Sequence, residues 1–126
     1  MSAVRSAEGL AAAFKHALSG IAHIIRHERN IKIELAFAAL ALIASVLLRL
    51  EPLEWAAVII LIALVLALEL ANSALESLTD LASPDQHPLA KRAKDAMAGA
   101  VLVAAVGAVA AGLVIFVSAA LRLGGA

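Results

Sequence analysis

Residues 96–121 read AMAGAVLVAAVGAVAAGLVIFVSAAL, 26 consecutive positions without a charge. At a rise of 1.5 Å per residue such a segment is about 39 Å long, more than the ~30 Å hydrocarbon core of a bilayer. Only Ser118 interrupts its apolar character. A water-soluble domain has no use for so long an uncharged helix, so this stretch predicts a membrane span and sets the frame for the rest of the chain.

Composition agrees with that frame. The chain has 126 residues, 63% hydrophobic, 3% aromatic and 16% charged, with no cysteine. Soluble domains run nearer ~45–50% apolar and about 25% charged. A domain of this size buries only ~60–70% of its chain surface, too little to hide so much Ala, Leu, Val and Ile. Ten basic and ten acidic residues give zero net charge. A disordered chain, a disulfide-stapled module and a polybasic nucleic-acid binder are excluded. Thiol chemistry is excluded by the absence of cysteine.

Working backward from residue 96, Lys91, Arg92, Lys94 and Asp95 open the same helix. Before them, Ser83-Pro84-Asp85-Gln86-His87-Pro88 is a loop, because two prolines and an Asp forbid a continuous helix. Residues 55–75 are apolar apart from Glu69 and Asn72. Pro52 suits the first turn of that helix, and Trp55 suits a water–lipid boundary. A further apolar block covers 33–50, with 14 uncharged residues from Leu35 to Leu48. At the amino-terminal end no secretory signal is expected. Leu10, Phe14, Ala17, Leu18, Ile21 and Ile25 recur at steps of three and four and predict a helix with one apolar face. Its other side is polar and basic, which suits a membrane surface. His16, His23 and His27 lie on that polar side, and His23 and His27 are expected to face lipid headgroups rather than to ligate a metal.

The expected fold is therefore all-α and integral to a membrane. A single domain comprises a surface helix at about 7–28 and transmembrane spans at about 31–50, 53–80 and 90–122. Gly99, Gly107 and Gly112 are expected to let helices approach closely. The amino-terminal arm and the 81–95 region carry eight of the ten Lys and Arg residues. That asymmetry predicts both on the cytoplasmic side, with the carboxyl terminus outside.

Chemistry concentrates at the end of the second span, Glu69-Leu-Ala-Asn72-Ser-Ala-Leu-Glu76-Ser-Leu-Thr-Asp80. Positions 69, 72, 76 and 80 fall within about an 80° stripe of one helix. Glu69 lies 14 residues from Trp55, or ~21 Å across a ~30 Å core. A carboxylate at that depth costs several kcal/mol and is usually functional. Glu28 and Asp95 bring two further carboxylates to the same side. Carboxylates grouped around polyphosphate suit Mg²⁺, and Lys94 suits a phosphate. On the residues alone, a structural salt-bridge network remains open beside the metal reading. No phosphate-binding glycine loop of the P-loop type, protein-kinase signature or zinc spacing is present.

These residues carry a resemblance. Glu69-Leu-Ala-Asn72-Ser-Ala-Leu-Glu76 with Asp80, then Ala93-Lys94-Asp95-Ala-Met-Ala-Gly99-Ala-Val, resembles the small prokaryotic diacylglycerol kinase/undecaprenol kinase family. Phe14-Lys-His-Ala-Leu-Ser-Gly20-Ile and Glu28-Arg-Asn-Ile-Lys-Ile-Glu34-Leu resemble it too. The likeness runs from about residue 10 to 118.

It implies an integral membrane lipid kinase of the bacterial inner membrane, a homotrimer with shared active sites. The γ-phosphate of ATP passes to the hydroxyl of a lipid alcohol, diacylglycerol or undecaprenol, with Mg²⁺ required. Carried across by position, Glu69 is the implied catalytic base, and Glu28 and Glu76 are the implied metal ligands. His16, Glu28, Glu76, Asp85, Gln86, His87, Lys94 and Asp95 fall at nucleotide-binding positions. Asn72 and Asp80 belong to the polar cluster. Glu34, Trp55, Glu69 and Ala98 fall where the lipid is approached. The stretches at 28–34 and 54–55 look more like the undecaprenol-kinase branch.

A small oligomeric transporter or channel, with Glu69 as a proton site, is the competing class. It needs a polar path through the bilayer. Residues 35–48 offer only Ser45 and residues 96–121 only Ser118, which leaves no such path. A structural scaffold would not need Glu69, Asn72 and Glu76 in one stripe.

Overall fold

A computed structural model describes residues 2–125, with side chains from residue 8 onward. Four helices follow in chain order: α1 (Ser2–His27), α2 (Arg29–Leu47), α3 (Pro52–Ala82) and α4 (Pro88–Leu123). No strand forms among the described residues. α2, α3 and α4 are each long and apolar enough to cross a membrane. The fold is that of an all-α integral membrane protein.

The helix ends follow from local chemistry. α2 stops in a tight turn in which Leu50 N donates to Ser45 O and Arg49 N to Val46 O. This is the paired bonding of a Schellman cap. Arg49 takes the left-handed position of that cap at φ 51°, where glycine is the usual residue. α3 begins with a capping box. Glu51 is the N-cap, its backbone N–H donates to Glu54 Oε2 at 2.8 Å, and Pro52 opens the first turn. α4 begins at Pro88, and Leu89 N donates to Nδ1 of the N-cap His87 at 3.1 Å.

α4 packs along α3, and α2 leans on α3. Near the α2–α3 turn, buried Leu50, Val58 and Ala119 form a cluster with Leu48, Trp55, Ile62, Ile115 and Phe116 against it. Arg122 closes this end. Its guanidinium donates to both Glu54 carboxylate oxygens at 3.0 and 2.8 Å and lies 3.7 Å from Glu51. At the other end of the same helix pair, Lys94 of α4 is ion-paired with Asp80 of α3.

The lengths decide where the site falls. α2 has 19 residues, about 28 Å, close to one bilayer core. α3 has 31 and α4 has 36, about 46 and 54 Å. From Trp55 at one boundary, ~20 residues of α3 complete a crossing. Its remaining turns, with Glu76 and Asp80, then stand beyond the core. Exposed Leu10, Phe14 and Leu18 form an apolar face on α1, as a helix lying on a bilayer requires.

Two expectations need adjustment. α1 starts at Ser2 rather than near residue 7, since no helix breaker stands between them. Within the chain, Gly99 and Gly107 meet no helix, because a Cβ at either would touch nothing. Gly112 lines the cleft between the helices, and a Cβ there would meet only Phe116 of its own helix, at 3.8 Å.

Candidate active site

The packing face of α3 runs through Val58, Val65, Glu69 and Ser73, all buried. The steps of seven, four and four keep these on one side of the helix. The face is apolar over Val58 and Val65 and turns polar at Glu69. Glu69 is only 8% exposed, yet its carboxylate forms no hydrogen bond or ion pair among the described residues. The charges of Glu34, Glu28 and Glu76 all bear on it. Four carboxylates from the α1–α2 junction, α2 and α3 are thus grouped at one end of the bundle.

Such a group is unfavourable alone. A buried carboxylate without a partner carries a desolvation cost, and its acidic neighbours add repulsion. A structural network would place cations among these groups. Two basic residues of α4 are paired with other acids, Lys94 with Asp80 and Lys91 with Asp95 one turn along, and the Lys94 charge also bears on Glu76. Glu28 stands between α1 and α2 with extended backbone and is half-buried. It occupies an N-cap position without using its side chain as a cap. Its carboxylate makes no hydrogen bond or ion pair among the described residues.

The sequence-derived candidates divide accordingly. Glu28, Glu34, Glu69 and Glu76 are brought together. Asn72, half-buried, shares the α3 stripe, and Asp80 closes it through Lys94. Asp85, Gln86 and His87 are exposed in the short 83–87 loop, where Ser83 Oγ donates to Asp85 O at 2.7 Å. His87 serves as the α4 cap. His16 is exposed on α1, about three turns before Glu28. Trp55 packs in the cluster at the far end of α3, and Ala98 is exposed on α4.

A cleft of about 440 Å³ runs between α2, α3 and α4. Phe37, Ala41, Val65, Leu66, Val109 and Phe116 are among its lining, and Glu34 is the one charged residue there. Glu34 is the α2 lining residue nearest the α1–α2 junction, so it marks the end of the cleft toward Glu28, and its charge bears on Glu69. An apolar slot therefore ends beside the acidic cluster. Neither Trp55 nor Ala98 lines it.

Sequence reading missed three contributors. Ser73 is buried one turn beyond Glu69. Ile31 is 3% exposed and anchors the first turn of α2. The Arg122–Glu54 pair fixes the opposite end of the bundle. The spacing of Glu51 and Glu54 around Pro52 could have signalled a capping box. Nothing local announces the partner 68 residues away.

No group of three or more His, Cys, Asp or Glu side chains poised for a metal occurs among the described residues. Two free carboxylates, Glu28 and Glu76, fit a divalent cation whose other ligands are phosphate oxygens and water.

Three crossing helices, an apolar slot and a carboxylate cluster at one face define an integral membrane enzyme working where lipid meets water. Comparison with known proteins specifies its chemistry. The sequence pattern of the prokaryotic diacylglycerol kinase family matches residues 15–116. The chain is 46% identical over 103 residues to an undecaprenol kinase of Bacillus subtilis, covering 82% of this chain and 84% of that protein. It is 40% identical over 107 residues to a diacylglycerol kinase of Synechocystis, covering 84% of this chain and 61% of that longer protein. The chain belongs to the prokaryotic diacylglycerol kinase family. It is a bacterial membrane protein and a lipid kinase, an enzyme that needs a nucleotide phosphoryl donor.

Proposed function

We propose that the chain transfers the γ-phosphate of ATP to the hydroxyl of a membrane lipid alcohol, with undecaprenol preferred over diacylglycerol. One observation carries the chemistry. Glu69 is only 8% exposed, its carboxylate makes no hydrogen bond or ion pair among the described residues, and it lies under the charge of Glu34, which lines the apolar slot, and of Glu28 and Glu76, which suit a cation. Phosphoryl transfer depends on positioning and charge stabilisation more than on covalent catalysis.

The lipid tail occupies the slot, and its hydroxyl reaches the Glu34 end. The hydroxyl oxygen bonds to the γ-phosphorus, the bond from that phosphorus to the β–γ bridging oxygen breaks, and ADP leaves. The hydroxyl proton passes to Glu69 Oε. Asn72, one turn along, orients the reacting groups. Glu28 and Glu76 hold Mg²⁺, which when bound neutralises the phosphate charge. Lys94 exchanges Asp80 for a nucleotide phosphate, and Asp95, His16 and the 85–87 segment complete the nucleotide side. The seven residues from Glu69 to Glu76 rise about 10 Å, so lipid and nucleotide meet without either crossing the boundary.

The basic residues of the amino-terminal arm and the 81–95 region support a cytoplasmic side for this end, at a bacterial inner membrane, where ATP is present. The active protein is a homotrimer in which neighbouring protomers complete each site. The preference for undecaprenol rests on the 46% identity to the B. subtilis undecaprenol kinase, set against 40% to the Synechocystis diacylglycerol kinase. The test offers both lipids side by side, in micelles, with γ-labelled ATP. Labelled undecaprenyl phosphate should dominate. A dominant labelled phosphatidic acid would reverse the lipid assignment, and no labelled lipid at all would remove the ATP-dependent reaction.

A further inference from the structure

The chain breaks at Glu28 without a residue that explains the break. His27-Glu28-Arg29-Asn30-Ile31 contains neither Gly nor Pro, and α1 and α2 are separated by this one extended residue at φ −96° and ψ 124°. Glu28 N still donates to Ile24 O at 2.8 Å, the last helical bond of α1. After it the ladder fails, and the final carbonyls of α1 lose their i+4 partners.

Two side chains bond to α1 carbonyls at this point. Lys32, from the first turns of α2, reaches back across the break and donates through Nζ to Arg26 O at 3.2 Å. His27 donates through Nδ1 to His23 O at 2.7 Å, and the two imidazoles stack with centroids 4.2 Å apart. A carbonyl only accepts, so Nδ1 carries the proton. Glu28 itself makes no capping bond, although an N-cap carboxylate ordinarily accepts from the next amides. Buried Ile31 fixes the start of α2 from its other side.

We infer that Lys32 is a positioning residue: by bonding to the Arg26 carbonyl, which the break deprives of its helical partner, it holds the break that leaves the Glu28 carboxylate available to the active site. This rests on the reading of Glu28 as a metal ligand. Without the Lys32 bond the junction regains helical continuity or loosens. In either case the Glu28 side chain turns away from the group on α3. Groups that orient a ligand typically change metal affinity by ~10–100-fold when removed. Lys32 is exposed, so its replacement leaves the packing of α3 and α4 untouched.

The experiment compares Lys32→Met, Lys32→Gln, Lys32→Arg and Glu28→Gln as full chains in nanodiscs. Amide hydrogen exchange over residues 24–34 is measured without metal or nucleotide, with protection in α3 and α4 as the folding control. Steady-state kinetics give the Mg²⁺ concentration for half activation and the lipid KM. Lys32→Met and Lys32→Gln should alter exchange at residues 29–31. They should raise the Mg²⁺ requirement about tenfold, with lipid KM and kcat at saturating Mg²⁺ near wild type. Lys32→Arg, which keeps a donor, should restore both. Altered exchange with an unchanged Mg²⁺ requirement would overturn the positioning role, as would a raised lipid KM with the Mg²⁺ requirement unmoved. If Glu28→Gln shifts the requirement and Lys32→Met does not, only the Lys32 role falls. If Glu28→Gln itself leaves the requirement unchanged, the metal assignment of Glu28 falls, and the role of Lys32 with it.

Discussion

Glu69 draws its significance from what surrounds it. A buried carboxylate in a membrane helix is costly, and the three acidic groups bearing on it make an unassisted site less favourable still. A positively charged ligand relieves that repulsion. Glu76 lies two turns along the same stripe and is exposed, where a hydrated cation can reach it. Glu76→Gln should therefore raise the Mg²⁺ concentration for half activation by ~10-fold or more, the equivalent of losing a charge-assisted contact of ~1.5–3 kcal/mol. A Mg²⁺ titration of lipid phosphorylation checks it, and an unchanged midpoint counts against the metal role. The stripe from Glu69 to Asp80 was legible in the sequence, since regular helical spacing fixes relative direction. That Glu28 comes to the same side was expected from the chain order, whereas the approach of Glu34 was implied only by the resemblance, because its separation from Glu69 depends on how α2 leans on α3.

At the level of elements, helix existence was readable and helix ends less so. Uncharged runs of helical length left no other choice for α2, α3 and α4. The α2–α3 turn was visible through Pro52, but not that Arg49 would take the left-handed cap position. A non-glycine residue there costs roughly 1–2 kcal/mol, which the buried Leu50 and the paired cap bonds offset. Arg49→Gly removes that cost and adds a smaller entropic one. It should raise stability by about 0.5–1 kcal/mol, seen as a higher midpoint of thermal unfolding in detergent. A lower midpoint would mean that the Arg49 side chain contributes more than its backbone costs. The break at Glu28 was legible only as the place where the surface arm meets the first span, because no breaker residue marks it and the bond that spans it, from Lys32 to the Arg26 carbonyl, is a tertiary detail.

For the whole molecule, the charge balance of zero conceals a strong separation. Acidic groups and the Lys94–Asp80 pair stand at one end of the bundle, and Arg122 with Glu51 and Glu54 at the other. Between them the helices are apolar and the slot ends at Glu34. The two ends are structurally independent: the Arg122 cluster ties α4 to α3 far from Glu69. Arg122→Gln should therefore lower the thermal midpoint only slightly, as expected for a solvent-screened pair, with lipid phosphorylation per folded protein unchanged. Thermal unfolding and a rate assay on the same preparation check both parts. A large loss of rate without a loss of stability would show that the far end governs the reaction. The separation of charge was partly legible, since the Lys and Arg counts differ between the two ends. The slot was not, because it is formed by three helices whose packing no local pattern specifies.

The central claim is that Glu69 accepts the proton of the lipid hydroxyl. The direct measurement is the rate of label transfer from γ-labelled ATP to lipid by purified Glu69→Gln beside wild type, with helix content and nucleotide binding measured on both. A positioned base contributes typically 10²–10⁴-fold, so the variant should stay folded, bind nucleotide and lose about that factor in kcat. A Glu69→Gln protein that phosphorylates lipid at the wild-type rate would contradict the account.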